Sequence, residues 1–194
     1  MCRLHIDKKS GVTIVELLIV LTIIGVLSQL AIGSYSKLVT RTRIYIATSE
    51  LHASLLYARS EAIKHGGSVI ICRSSNADSA TPSCDSDMSD GNLNSGWGAG
   101  WIIYKDRDQD GTLSTEDTIL RVRGKLFSSS DQGSIIPSPK RKQIKFNEFG
   151  QVYGTFLQFK ISQAKSPESI ADAKYICIAS GGRARVDKIA CSAK

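Results

Sequence analysis

The sequence predicts an α+β fold, a long N-terminal helix packed on a C-terminal antiparallel two-sheet β domain. Three observations predict it. Residues 12–32 are nearly continuous aliphatic, broken by one carboxylate. Apolar residues then recur at spacings of three and four, the period of a single helix face. Beyond residue 67, short β-type runs alternate with clusters of Gly, Ser, Asp and Pro, which are turn signals. The chain therefore divides into a leader over 1–11, a transmembrane and assembly helix over 12–33, an amphipathic helix over 34–66 and a β-rich domain over 67–194.

The leader is short and basic (Arg3, Lys8 and Lys9 against Asp7) and ends in Ser10-Gly11. Some 20 apolar residues at 1.5 Å rise span a hydrocarbon core of about 30 Å, so residues 12–33 predict one membrane crossing. Lys8 and Lys9 precede it, which puts the leader in the cytoplasm and the C-terminal domain outside. A secretory signal is cut after its apolar stretch, behind small residues. Here the small residue and the polar-to-apolar break come first, and a plain signal anchor would have the same topology. Glu16 separates the two. A carboxylate in an apolar helix costs a few kcal/mol at mid-bilayer and is kept for function. It stands at the fifth position after Gly11. From there it can pair with the free α-amino group of a neighbouring subunit's Val12 and set the axial register of packed helices.

Gly11, Val12 and Glu16 resemble the prepilin peptidase motif of type IV pilins and type II secretion pseudopilins. The resemblance implies cleavage between Gly11 and Val12, N-methylation of Val12, and Glu16 as the assembly residue. It further implies prepilin peptidase, other pilins or pseudopilins and the inner membrane as partners. The implied location is the inner membrane of a Gram-negative bacterium, single-pass with a periplasmic domain, and then a filament at the cell surface. The family most often has phenylalanine where this chain has Val12. Many members also carry a helix-kinking proline where this chain has Ile32-Gly33-Ser34, and glycine bends a helix less obligatorily.

Ile44, Ala47, Leu51, Leu55, Ala58 and Ala62 form the apolar face of the second half-helix, and His65-Gly66-Gly67 ends it. A continuous helix from Val12 would be about 80 Å long. His52 and His65 on it read as solvated or structural. Strands are predicted over 68–72, 101–104, 118–122, 144–146, 155–161 and 175–179, enough for a small sheet or sandwich covering the helix. Residues 74–100, rich in Ser, Asp, Asn and Gly, read as a long surface loop.

Beyond Cys2 in the leader, four cysteines fall in two closely spaced pairs, Cys72 with Cys84 and Cys177 with Cys191. Zinc would favour CxxC spacing and histidine partners. Two local disulfides in an oxidising compartment fit better, each contributing on the order of 2–3 kcal/mol.

The segments LLYARSEAIKHGGSVIICRS (55–74), GWGAGWIIYKDRDQDG (96–111), ILRV (119–122), IKFNEFGQ (144–151) and YICIASGGRARV (175–186) are similar to the GspH/FimT family of minor pilins and pseudopilins. Together with the N-terminus the likeness covers most of the chain. It implies a long helix followed by a two-sheet domain, and a filament-tip or priming role instead of the bulk shaft.

Two constellations carry candidate chemistry. Asp106, Asp108, Asp110, Thr112 and Asp117 match the spacing of a calcium loop, with Gly111 at the sixth position. Position twelve is Asp instead of the longer Glu, and strands flank the loop. An Asp-rich hairpin turn closed by side-chain-to-backbone bonds remains the alternative. No cofactor is required; calcium is the one that could be held. The second constellation is Gly182, Arg183 and Arg185, with Lys188 nearby. In an extended segment the two arginines share a face and can grip adjacent phosphates. A solvated basic turn is the alternative. In FimT-type minor pilins a Gly-Arg-x-Arg motif near the C-terminus is associated with DNA binding in natural transformation, and these three residues match it. Lys140, Arg141 and Lys142, with Lys145 following, form a further basic cluster, either an extension of a DNA track or an exposed loop. Arg121, Arg123 and Lys125 are equally open.

The net charge is +7, two of it in the leader, which hints at anionic partners without naming one. No Ser/His/Asp arrangement, phosphate-binding glycine loop or histidine-rich cluster is present, which speaks against an enzyme. The expected function is a FimT-like minor pilin that binds DNA, without sequence preference, during uptake. The alternative is a structural or priming minor pilin, or a GspH-type pseudopilin of type II secretion, with no DNA role.

Overall fold

The computed structural model describes residues 11–88, 95–129, 131–154, 157–163 and 173–191, without the side chains of 30–34 and 37. The leader up to residue 10, with Cys2, lies outside them. Helix α1 (Ile14–His65) is 52 residues long, and its helical backbone runs through Gly33. Its start is capped. The Thr13 hydroxyl accepts the Glu16 backbone N–H at 3.2 Å, the first half of a capping box whose N3 residue is Glu16 itself. Its end follows the Gly signal. Gly66 takes φ 57°, and the Gly67 N–H reaches back to the Ala62 carbonyl at 3.3 Å.

The chain forms two compact units, Met1–Val39 and Thr40–Lys194. In the first, Val12, Ile14, Val15, Leu17, Leu18, Ile19, Leu21, Ile23, Ile24, Val26 and Leu27 are all exposed. A helix apolar all round needs a cover of lipid or protein. No helix among the described residues is long and apolar enough to cross a membrane. The spanning role expected for 12–33 is therefore carried forward only as a proposal.

The second unit is built on two four-stranded sheets. The first has the order β3-β2-β1-β5, from β1 (Val69–Arg73), β2 (Trp101–Lys105), β3 (Thr118–Arg123) and β5 (Gln143–Phe146). The second has the order β4-β6-β7-β8, from β4 (Ser134–Ser138), β6 (Leu157–Ser162), β7 (Lys174–Ile178) and β8 (Ala184–Asp187). Every strand pair in both sheets is antiparallel. The expected two-sheet fold is observed, with two strands more than the apolar runs suggested. β4 contains Pro137, which a strand tolerates at a sheet edge, where its missing N–H costs no ladder bond. β8 is only Ala-Arg-Val-Asp, a four-residue run with almost no apolar signature of its own. The predicted start of β6 at 155–156 lies outside the described residues.

The main core joins the α1 stripe Ile44, Ala47, Leu51, Leu55, Ala58 and Ala62 to both sheets, through Val69, Ile71, Trp101 and Ile103 on one and Ile135, Phe159, Ile176 and Ile178 on the other. Trp97 meets Phe159 edge-on at 5.1 Å, between the sheets. Alternate residues Ile70, Cys72, Ile102 and Tyr104 form a second small core on the opposite face of the first sheet, against Cys84 and Leu113. β1 is thus buried on both faces, which explains its unbroken apolar run.

The loop after β1 is more than a surface excursion. Cys72 bonds Cys84, and the next residue on each side forms an ion pair, Arg73 with Asp85. The Asp85 N–H also donates to the Arg73 carbonyl at 2.9 Å. Arg73 is fully buried, and its Nε donates to the Gly96 carbonyl at 2.9 Å. One guanidinium and one disulfide therefore fasten both ends of this loop to β1. Arg73→Met should lower the unfolding free energy by about 3 kcal/mol, since it strands Asp85 and the Gly96 carbonyl. Urea denaturation checks this, and the conservative variant Arg73→Lys should recover only part of the loss.

Candidate nucleic-acid interface

β7 and β8 are joined by a tight turn. The Gly182 N–H donates to the Ala179 carbonyl at 2.8 Å, and the Ala179 N–H to the Arg183 carbonyl at 3.2 Å. Gly182 takes φ 73°, a left-handed conformation that favours glycine. A Cβ there would fall 1.8 Å from the Gly150 carbonyl oxygen. The close approach that Gly182 permits is thus to the protein's own backbone, and the residue is buried. Arg183 and Arg185 are exposed on either side of buried Ala184, so they share the outward face, as an extended segment requires. Arg185 is paired with Cys177, whose disulfide to Cys191 crosses that face. The Cys191 N–H is fixed in turn by the Gln158 side chain at 3.0 Å. Lys188 follows β8 and lines a groove of about 650 Å³ with Tyr45, Thr48, Ser49 and His52 of the helix.

The turn rests on residues that the sequence had not singled out. Arg59 of α1 donates from Nε to the Gly150 carbonyl at 3.1 Å, and the Val152 N–H donates to the Ser180 carbonyl at 3.0 Å. Gly150 belongs to a reverse turn organised by Asn147, whose Oδ1 accepts the N–H groups of Phe149 at 3.0 Å and Gln151 at 2.8 Å. Asn followed by Gly three residues later is a turn signal and could have been read as one. That this turn abuts the one at Gly182 could not. His52 is structural, with Nε2 at 3.3 Å from the Ala184 carbonyl on β8.

The other basic residues are largely engaged. Arg141 donates to the Tyr153 carbonyl at 3.0 Å and Lys142 to the Ser86 carbonyl at 3.0 Å, while Lys140 is exposed. Arg123 pairs with Glu50 at 3.3 Å, and Arg121 lies 5.9 Å over the Tyr57 ring. Lys145 pairs with Asp106 at 2.8 Å.

That last pair belongs to the acidic loop between β2 and β3. Asp106, Asp108 and Asp117 bring carboxylate oxygens within 4.8 Å of one another. Each is already served by protein donors. Asp106 is served by Lys145 and Ser68, Asp108 by the Asp110 N–H, and Asp117 by the N–H groups of Arg107 and Ser114. Asp110 turns away to the hydroxyl and N–H of Thr112. Lys145 thus supplies positive charge to Asp106, one of the three carboxylates that a calcium ion would share. Burial works against ionisation of Asp106, but Lys145, the Gly111 N–H and Ser68 hold its carboxyl below the usual range. Burial and the surrounding carboxylates push the Tyr104 phenol strongly upward, so it stays a donor, to the Gly111 carbonyl at 3.3 Å.

An N-terminal helix packed on two antiparallel sheets is the fold of a pilin-type subunit. The family model for type II transport protein GspH matches residues 47–182, and the prokaryotic N-terminal methylation motif matches residues 6–28. The chain belongs to the GspH family, whose members are structural proteins, not enzymes. Two fimbrial proteins of Pseudomonas aeruginosa are 32% and 31% identical to it over 142 residues, 72% of this chain and 84% of each of theirs. A crystal structure of the type IV minor pilin FimU from P. aeruginosa superposes with a TM-score of 0.52 at 22% identity, covering 76% of this chain and 90% of that one, and so shares the fold.

Gly182→Ala should destabilise the protein by at least about 1–3 kcal/mol, because it combines left-handed strain with a clash against Gly150. Gly181→Ala, with open space around it, should not, and thermal unfolding of the two variants checks the contrast. Asp106 also makes stability depend on pH. Its folded pKa lies below the unfolded value of about 3.9, so its contribution is present above that pH and is lost as pH falls through the lower folded value. Denaturant midpoints measured from pH 6 to pH 2 should fall at the acid end, less steeply in Asp106→Asn.

Proposed function

We infer that this is a minor type IV pilin of a Gram-negative bacterium that binds DNA through the turn carrying Arg183 and Arg185, in the service of DNA uptake. The observation that carries the inference is that turn. Two exposed guanidiniums share one face of a hairpin whose backbone is fixed by Gly150, Arg59 and the Cys177–Cys191 disulfide. A backbone already fixed lowers the ordering cost when two arginines grip neighbouring phosphates, leaving only their side chains to be ordered. Such contacts are indifferent to sequence and weaken with salt.

The N-terminal segment gives the route to that position. Prepilin peptidase cuts between Gly11 and Val12, and the inner membrane covers the apolar helix surface before assembly. Neighbouring pilin helices cover it afterwards, with Glu16 pairing to the amino group of an adjacent Val12. Fimbrial relatives in Pseudomonas aeruginosa support a place in a pilus. The alternative is a priming subunit, or a pseudopilin of type II transport, using the same helix with no DNA role; the family's own description favours it.

The full chain in non-ionic detergent micelles, titrated with labelled duplex DNA in gel-shift or anisotropy assays, separates the two. The wild type should bind, with affinity falling as salt rises. Arg183→Gln/Arg185→Gln should weaken binding and lower the slope of log K against log salt by about 2, one for each lost phosphate contact. Equal affinity and slope in both proteins would remove this site. Absence of binding in the wild type would leave the structural role.

A further inference from the structure

Beside the basic turn the protein exposes two aromatic side chains that its own fold does not use. Phe149 is 69% exposed and Tyr153 is 61% exposed, whereas Trp97, Trp101, Tyr104, Phe127, Phe146 and Phe159 are buried; Tyr45 on the helix is also exposed, but lies away from this turn in sequence and lines the other groove. Both sit on the hairpin that leaves β5, and both have fixed backbones. The Phe149 N–H is held by Asn147, and the Gly150 N–H by the Asn147 carbonyl at 2.8 Å. Tyr153 donates its N–H to the Lys145 carbonyl at 3.3 Å and accepts from Arg141 at its own carbonyl. The residue after Phe149 is Gly150, whose carbonyl touches Gly182, and the residue after Gly182 is Arg183. The exposed residues Phe149 and Arg183 are therefore carried next to one another in the chain path, on two turns in backbone contact. Between the turns lies an open depression of about 420 Å³, lined by Asn147, Gln151, Tyr153 and Gly154 on one side and Ser180 and Gly181 on the other.

A phosphate-binding turn needs only its arginines. Exposed aromatics held rigidly beside it add a second chemistry, because every nucleobase has a π-face that stacks on a Phe or Tyr ring. In a duplex those faces are already stacked on one another and closed to the protein. In a single strand they are free. The Gln151 amide nitrogen and the Ser180 hydroxyl, at the edge of the depression, can meet a base edge without demanding one base, while Asn147 is committed to its own turn.

The geometry points to single-stranded DNA as the ligand of this surface, with its phosphates on Arg183 and Arg185 and its unpaired bases on Phe149 and Tyr153. This deepens the DNA-binding assignment and rests on it. It gives the surface a preference that phosphate contacts alone cannot supply, since those are similar for one strand or two.

The test compares a labelled oligothymidylate with a duplex of equal length, using the full chain in detergent micelles at one salt concentration. Phe149→Ala/Tyr153→Ala should lose roughly 30-fold or more in affinity for the single strand, two stacked bases at about 5- to 100-fold each, and little for the duplex. Arg183→Gln/Arg185→Gln should lose affinity for both. Phe149→Trp/Tyr153→Trp, which keeps the stacking faces, should hold the single strand as the wild type does. Because both side chains are exposed, melting temperatures should be close to wild type in all of these variants. If the aromatic variants bind the single strand unchanged while the arginine variant is impaired, the DNA site stands and stacking is overturned; the aromatics then belong to subunit packing. Equal loss for single strand and duplex in the alanine variant overturns it as well. If the wild type binds neither DNA, the functional assignment itself falls, and this inference falls with it.

Discussion

The constraint on which the domain depends is burial of one face of α1 against two sheets at once. Both sheets turn an inner face toward it and need a cover there. Ile44, Ala47, Leu51, Leu55, Ala58 and Ala62 supply it from a single stripe. Small residues at 47, 58 and 62 let the sheets approach the helix closely, while Leu51 and Leu55 fill the space between them. The few polar atoms drawn into this core are paired. The Trp101 indole donates to the Ser54 hydroxyl at 3.0 Å, and Thr48 returns its own hydroxyl to the Ile44 carbonyl at 2.7 Å. Such pairings offset the cost of burying polar groups, and the Trp101–Ser54 bond, which joins β2 to the helix, helps fix the helix's rotation about its axis.

The rotation of the helix is what delivers the surface features. With its stripe turned inward, α1 presents Arg59 to the Gly150 carbonyl and His52 to the Ala184 carbonyl, so it fixes the reverse turn and the edge strand together. The turn at Gly182 is then placed by contact with Gly150, not by any property of its own sequence. The two arginines inherit their position from a chain of backbone contacts that begins in the core.

The charges show the same division between structure and surface. A net charge of +7 suggests a broadly basic protein, yet many of its cations are used internally. Arg73 is buried with Asp85, Lys145 neutralises Asp106, and Arg123 meets Glu50. Arg141 and Lys142 hold loop carbonyls. These contacts lock the long loops onto the sheets. A basic run in the sequence is therefore a poor guide to a basic surface, because a guanidinium satisfies a stray carbonyl as readily as a phosphate.

By itself the sequence determined the helix with its apolar and amphipathic halves, the N-terminal methylation motif, six of the eight strands among the described residues, both disulfides and the family. These are legible because periodicity, glycine punctuation and cysteine spacing are local signals. It did not determine β4 or β8, since Pro137 and the alternating arginines look like loop until a neighbouring strand pairs with them. It also could not say what Gly182 is for. The residue could equally have made room for a ligand, and only the tertiary structure decided that it makes room for Gly150. That decision, and with it the apposition of the turns at Gly150 and Gly182, depends on contacts between residues more than 30 positions apart in the chain. No local pattern encodes such contacts, because they follow from how the helix and both sheets share one core.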